Sequence, residues 1–336
     1  MSKKAAIPVH VPKDCGEGVD ADKQFNVTED EKKVIRSRNL YATICTGRAP
    51  ASNNHGDSGV TNIKPMQFMS DHGIQRSIVT GDAMRFSYRH FLQEAGYRTN
   101  RVYSPYDNKT SEIGYRDRMN PSPEKFIDDD VMGYLSCDEK ANVGKRGVLE
   151  VSYATSLAEF ENDQTFHSTS GVKDKTSIHQ VEMQCTAYQY PMSVRCYGLR
   201  NPSIVLGLLE AAENLNRVGG NQSRVSYDFS PKSVVLCVTK RPAHGFMYCF
   251  QEEPDGTVCF TDQFLTWFTQ RDLFGRFALN PSEFAIGGSV SSKGGDQLRD
   301  AGLDVSKFAY MGSGIKAAFQ AAELMLRGQA IPNQAK

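Results

Sequence analysis

The order of the periodic segments limits most what this chain can fold into. "NLYATICT" alternates Leu40, Ala42 and Ile44 against Tyr41, Thr43 and Cys45, the two-residue period of a strand. From Gly81 to about Ala95, the residues Met84, Tyr88, Phe91, Leu92 and Ala95 recur at steps of three and four, which predicts a helix packed on a sheet. "GVLEVSYA" reads as a strand, "IHQVEMQCTAY" alternates again, and "MSVRCYG" extends or pairs with it. A second helix is punctuated by Asn201 as N-cap and Pro202 at its first position, carries Ile204, Val205, Leu208, Leu209, Ala212 and Leu215 on one face, and stops at Gly219-Gly220. "KSVVLCVT" is a buried strand. Strand, helix, strand, strand, helix, strand is an α+β, ferredoxin-like order, here with large insertions after the first strand, after the first helix and between the middle strands.

Residues 1–38 are charged and poor in aromatics, so a mobile or partner-dependent arm is expected. Residues 97–146 hold much Tyr, Arg, Asp and Pro without a clean period, which predicts an inserted, mostly irregular or helical lobe. Residues 158–177 read as a polar loop. The sheet and its helices then occupy 39–96 and 147–336, the last third adding a hairpin turned at Asp255-Gly256, a helix around Gln263 to Phe274, the loop "FAIGGSVSSKGG" and a helix around Gly314 to Arg327.

With 336 residues the chain can bury a sizeable core, and no run of eighteen apolar residues offers a membrane span. The lysines near the start have no apolar stretch behind them, so a secretory signal is not expected and the protein reads as cytoplasmic. The eight cysteines show no metal or disulfide spacing, and most lie in apolar runs. Lysine plus arginine equals aspartate plus glutamate at 39 each, a balance that counts against a protein that simply coats nucleic acid but leaves room for a local basic groove. It also suits subunits that stack an acidic face on a basic one.

The chemistry concentrates in "NNHGDSGVTNIKPMQFMSDHGIQRSIVTGDAMRFSYRHFLQ". Thr80 before Gly81 and Asp82 makes an N-cap, and amides in a helix's first turn attract phosphate. Arg76, Arg85 and Arg89 add cationic reach, with His55 and Lys64 in the same loop. A solvated helix face is the plain alternative for the arginines, and Asp82 already uses the helix dipole. In "QTFHSTSG", Phe166 and His167 stand in a polar setting, where an aromatic has no core unless something docks. "AIGGSVSSKGG" offers backbone amides to phosphate but lacks the Gly-Lys-Ser/Thr of a nucleotide loop.

The succession "GRAPASNNHGDSGVTNIKPMQF … IQRSIVTGDAMRFSYRHFL", then "HQVEMQCTAYQYPMSVRCYGL" and "SVVLCVTKRPAHGF", resembles the CRISPR-associated backbone subunit of type I Cascade complexes, in the DevR-type branch of the RAMP superfamily. The resemblance covers roughly residues 38–290. It implies a hand-shaped, RNA-recognition-motif-like palm that polymerises head to tail along a crRNA guide, contacts other Cascade subunits and supports target DNA recognition, with no cofactor and no catalysis. Asn54, His55, Lys64, Arg76, Thr80, Gly81 and Arg85 would line the palm groove, 97–146 would be the fingers and 158–177 the thumb. Phe166 would wedge between bases beside His167 and Ser168, and Gly287, Gly288 and Ser289 would match a C-terminal glycine-rich loop. The competing readings are an RNA-cutting backbone subunit, metal-dependent through Asp57 or metal-free through His55 or His167, and a stand-alone RNA-binding regulator.

Overall fold

The computed structural model describes residues 18–52, 55–56, 63–103, 113–117, 119–138, 141–161, 163–169, 177–219, 225–242, 246–271, 273, 275 and 278–332. Residues 18–38 are folded rather than a loose arm, in α1 (Ala21–Gln24) and α2 (Glu29–Arg36), while 1–17 lie outside the described residues. The cause is "TEDE": Thr28 Oγ accepts from the Glu31 amide and the Glu31 carboxylate accepts from the Thr28 amide, a capping box that satisfies two end donors. Ile35 is then fully buried, and Arg327 reaches across to Glu31 and the Phe25 carbonyl.

β1 (Asn39–Cys45) follows as expected. The polar stretch before Thr80 is not one irregular loop but carries β2 (Ala49–Ala51), β3 (Ile63–Lys64), β4 (Phe68–Asp71) and β5 (Ile74–Val79). His72 and Gly73, at φ 50° and 85°, form the two-residue turn between the last two. α3 (Gly81–Glu94) buries Met84, Tyr88 and Leu92. The 97–146 lobe is less irregular than its composition suggests: β6 (Arg101–Tyr103) and β7 (Ile113–Tyr115) form one hairpin, α4 (Ile127–Met132) follows, and β8 (Gly133–Asp138) and β9 (Ala141–Arg146) form a second. After β10 (Leu149–Val151) and β11 (Ala154–Ser156), the expected 158–177 loop is in large part a strand, β12 (Asp163–Thr169), hairpinned on β13 (Ser177–Thr186).

β14 (Tyr188–Arg195) leads to α5 (Ile204–Asn214). That helix starts two residues after Pro202, because the Asn201 side chain accepts from the Ser203 amide in a preceding turn, and it ends short of the glycine pair. The last third holds β15 (Ser233–Thr239), β16 (Phe250–Glu252), β17 (Val258–Phe260), α6 (Asp262–Thr269), β18 (Phe284–Gly288), α7 (Val290–Asp300), β19 (Tyr310–Gly312) and α8 (Ile315–Arg327). "FAIGGSVSSKGG" is therefore a strand running into a helix, not a loop.

Nine strands form the main sheet in the order β19-β18-β15-β1-β14-β11-β5-β4, with β10 also paired to β14. The β18–β19 pair is parallel and every other pair antiparallel. The two faces of β1 enter separate cores. Leu40, Ala42 and Ile44 pack with Tyr88, Leu92, Leu208 and Phe319 from α3, α5 and α8. Tyr41 and Cys45 pack with Phe246, Phe264, Phe268 and Phe284 under the C-terminal third. All seven β1 residues are buried. Cys45, Cys196, Cys237 and Cys249 sit in these cores, Cys259 is buried outside them, and burial pushes all five thiol pKa values up. No helix among the described residues is long and apolar enough to cross a membrane.

Three consecutive buried aspartates of α4 order the inserted lobe and, through Asp128 and Asp130, tie it to α3 and to the Arg200 segment after β14. Asp128 accepts from the Asn100 and Arg101 amides and pairs with Arg89 at 3.2 Å. Asp129 accepts from the Ser122 amide and the Asn100 side chain, both at 2.9 Å, while burial pushes its carboxyl pKa above the ordinary value. Asp130 accepts from the Arg200 amide at 3.0 Å and pairs with Lys145 at 3.0 Å. Asp130→Ala leaves that ammonium and amide without their carboxylate, so it should lower unfolding stability by about 3–5 kcal/mol. Urea denaturation measures this, and a loss under about 1 kcal/mol contradicts the tether.

Candidate nucleic-acid interface

One row of paired residues crosses the sheet from Gly288 through Ser233, Cys45, Gln189 and Thr155 to Ile78. It marks the rim at the C-terminal end of β1. The opening loop leaves this rim after Cys45, and the β12–β13 hairpin, the segment expected above as the thumb, leaves it after β11.

β13 joins the two. Its outer half pairs with β12, placing Phe166 opposite Gln180, His167 opposite His179 and Ser168 opposite Ile178. Its inner half pairs with β2, and Gln180 and Val181 also pair in parallel with Ile63 and Lys64. Lys64 and Phe166 therefore belong to one four-stranded sheet. Phe166 is 65% exposed, on a strand rather than a loop tip. His55 closes the neck of the opening loop: its Nε2 lies 3.0 Å from Ser52 Oγ, which donates to the Glu182 carbonyl at 2.8 Å, and its backbone bridges to Met66. Asn54 and Asp57, and the side chains of Lys64 and His167, lie outside the described set.

Arg76 on β5 stands at the root of the thumb, where its guanidinium donates to the Ser156 carbonyl at 3.1 Å and to the Leu157 carbonyl. Both bonds come from Nη1, so the rest of the fork keeps its donors for another acceptor. Thr80 caps α3 as expected, accepting from the Ala83 amide at 3.3 Å. Gly81 has a packing reason of its own, since a Cβ there would lie 2.9 Å from the Val151 carbonyl. Arg85, one turn on, donates to the Met132 carbonyl at 2.8 Å and so turns toward the inserted lobe. His55, the Lys64 backbone and Phe166 thus lie along β13, with Arg76 held at the end of β11 and Arg85 turned to the lobe side.

Gly287, Gly288 and Ser289 sit five strand spacings from β5, about 24 Å at ~4.8 Å each, along the same rim. They form a closed corner rather than an open loop. Gly288 has φ 96°, and a Cβ on it would lie 2.0 Å from the Lys232 carbonyl. The Ser289 amide donates to that carbonyl and the Val290 amide to Ser233 Oγ, so these amides are used inside the fold. Between this corner and the β12–β13 hairpin the rim carries Arg48 and Lys232, which no local sequence pattern singles out. Arg48 donates to Glu252 at 2.8 Å, which keeps its guanidinium firmly charged, and Lys232 lies 3.7 Å from Asp228. Their signal is position: "TGR" directly after β1 and "PK" directly before β15. Among the described residues no three His, Cys, Asp or Glu side chains gather to hold a metal ion.

A CRISPR-associated protein Cas7/Cst2/DevR from Myxococcus xanthus (strain DK1622) is 31% identical to this chain over 233 residues, 64% of this chain and 76% of the relative. The chain belongs to the Cas7/Cst2/DevR family. No protein-family model matches the sequence. Among solved structures, this Cas7/Cst2/DevR member matches a chain of a CRISPR RNA-guided surveillance complex in a pre-nicking state at TM-score 0.43 and 10% identity, over 61% of this chain and 80% of that one. A second CRISPR RNA-guided surveillance complex chain matches at 0.37 and 12%, over 61% and 72%. Thermofilum pendens Csc2 matches at 0.34 and 10%, over 65% and 72%.

Gly288→Ala separates the two readings of the glycine corner. Its backbone sign and the Lys232 carbonyl leave no room for a methyl group, so the variant should lose at least about 1–3 kcal/mol of stability in chemical denaturation. Unchanged stability contradicts the closed corner.

Proposed function

We propose that this protein is a crRNA-binding backbone subunit of a type I CRISPR effector complex, holding the guide along the rim between the glycine corner and the thumb. The observation that carries this reading is the double pairing of β13, which puts the opening loop and the exposed Phe166 on one scaffold. Family membership supports it, and so does the order β15-β1-β14-β10 with every neighbour antiparallel, which we read as a ferredoxin-like palm. His55, Lys64, Arg76 and Arg48 meet the phosphates on the thumb side, Thr80, Gly81 and Arg85 extend the groove toward the fingers, and Lys232 with Ser289 serve the far side. Phe166, flanked by His167 and Ser168, displaces a base. Copies stack head to tail along the guide, an open heterologous contact that a chain of zero net charge tolerates, and base pairing to target DNA supplies sequence reading. The subunit binds and does not cut.

Neutralising Lys64 or Arg76 should weaken binding of two unrelated guides alike and reduce the slope of log affinity against log salt by roughly 0.7 for each contact removed. Loss for one guide alone, or an unchanged slope, contradicts the groove. In the same experiment with magnesium, complementary RNA is recovered whole. Evenly spaced fragments from the wild type that vanish in Asp57→Asn favour the nuclease.

A further inference from the structure

β13 buries a polar face in addition to Val181. Its polar residues Glu182, Gln184 and Thr186 are buried, at 8%, 3% and 0% exposure, while Cys185 between them is exposed. A buried carboxylate or carboxamide is costly unless its polar atoms are bonded, so the partners of this face say what it is for.

Those partners belong to three separate segments. Glu182 accepts from the Met66 amide at 2.8 Å, two residues after Lys64. Gln184 accepts from Ser77 Oγ on β5 at 2.7 Å and donates to the Glu159 carbonyl at 2.7 Å and the Ala158 carbonyl at 3.4 Å, where the chain enters the thumb. Ser77 Oγ is itself 2.9 Å from the Tyr188 hydroxyl on β14. One strand face therefore ties the hairpin to the main sheet, to its own entry and to the exit of the opening loop.

The same face carries the exposed aromatic. Residues 180, 182 and 184 point to one side of β13, and Phe166, directly opposite Gln180, points with them. Phe166 thus overhangs the lock by about two residues, near 7 Å at ~3.3 Å per residue.

We propose that Glu182 and Gln184 are positioning residues that fix the angle of the thumb over the opening loop, and so decide whether Phe166 reaches a base of bound RNA. The inference rests on the guide-binding reading above. Without the lock, the hairpin keeps its β12–β13 ladder but turns about its root, and backbone contacts to RNA persist while the wedge misses its target.

The test is chemical probing of base reactivity on RNA bound to the full-length protein, with affinity measured on the same samples. Reactivity present in the wild type and absent in Phe166→Ala defines the bases that the wedge displaces. Glu182→Ala should remove at least half of that reactivity with affinity kept within about threefold, and Glu182→Gln, which retains an acceptor for the Met66 amide, should restore it. Ser77→Ala, a smaller residue at a buried site that withdraws one partner of Gln184, should blur the same bases and serves if Glu182→Ala does not fold. Reactivity unchanged in the Ala variants, or affinity and reactivity falling together in Glu182→Gln as in Glu182→Ala, overturns the positioning role. RNA that does not bind the wild type at all instead overturns the guide-binding reading.

Discussion

Burial of β1 on both faces governs what the molecule can do. An antiparallel sheet often leaves one face to solvent, and that face is where many single-strand binders stack their bases. Here the helices α3, α5 and α8 close one face, and a phenylalanine-rich layer closes the other, with Phe260–Phe264 ring centroids 4.7 Å apart and Phe268–Phe284 4.9 Å. The main sheet is then left open only at its edges and its rim. The opening loop, the thumb, Arg48, Lys232 and the glycine corner all lie on the rim at the C-terminal end of β1.

Additions to the sheet are fastened by one recurring device, a buried or half-buried polar side chain that bonds to the backbone of another segment. Gln189 on β14 donates to the Phe250 carbonyl at 2.8 Å and accepts from the Phe250 amide at 3.1 Å. Gln297 on α7 does the same for Phe260, at 3.1 Å and 2.9 Å. Asp128, Asp129 and Asp130 hold the inserted lobe, and Glu182 and Gln184 hold the thumb. Each bond adds only about 0.5–1.5 kcal/mol net, but leaving such a group unmatched costs more, so geometry is enforced by the penalty for departing from it. For the wedge proposed at Phe166, rigid attachment matters, because a misplacement of a few ångströms is the difference between stacking and empty solvent.

What the sequence made legible follows the same physics. β1, β15, α3 and α5 stood out because apolar period decided them. β12 did not, because Asp163, Gln164, Phe166 and Ser168 are exposed and Thr165 only half-buried, which gives the alternation no buried side to reveal. β13 alternated correctly but with its polar face inward, which no apolar pattern can signal. Low hydropathy hid α2, although the capping box was written in Thr28 and Glu31. α7 looked like a loop because it contains Gly294 and Gly295, yet a Cβ on Gly294 would sit 2.5 Å from the Phe260 ring, so glycine serves close packing there. For the candidate site, the opening loop and Phe166 were singled out by chemistry out of place. Arg48 and Lys232 enter the proposal only through strand order, which no local pattern carries.

The claim at the centre is that the rim holds a guide RNA of shared origin. The most direct measurement is sequencing of the RNA that co-purifies with the protein expressed in its own cells. The account predicts short RNAs that differ in one part and share a common repeat-derived part. Protein that emerges free of RNA, or bound to one defined hairpin, contradicts it.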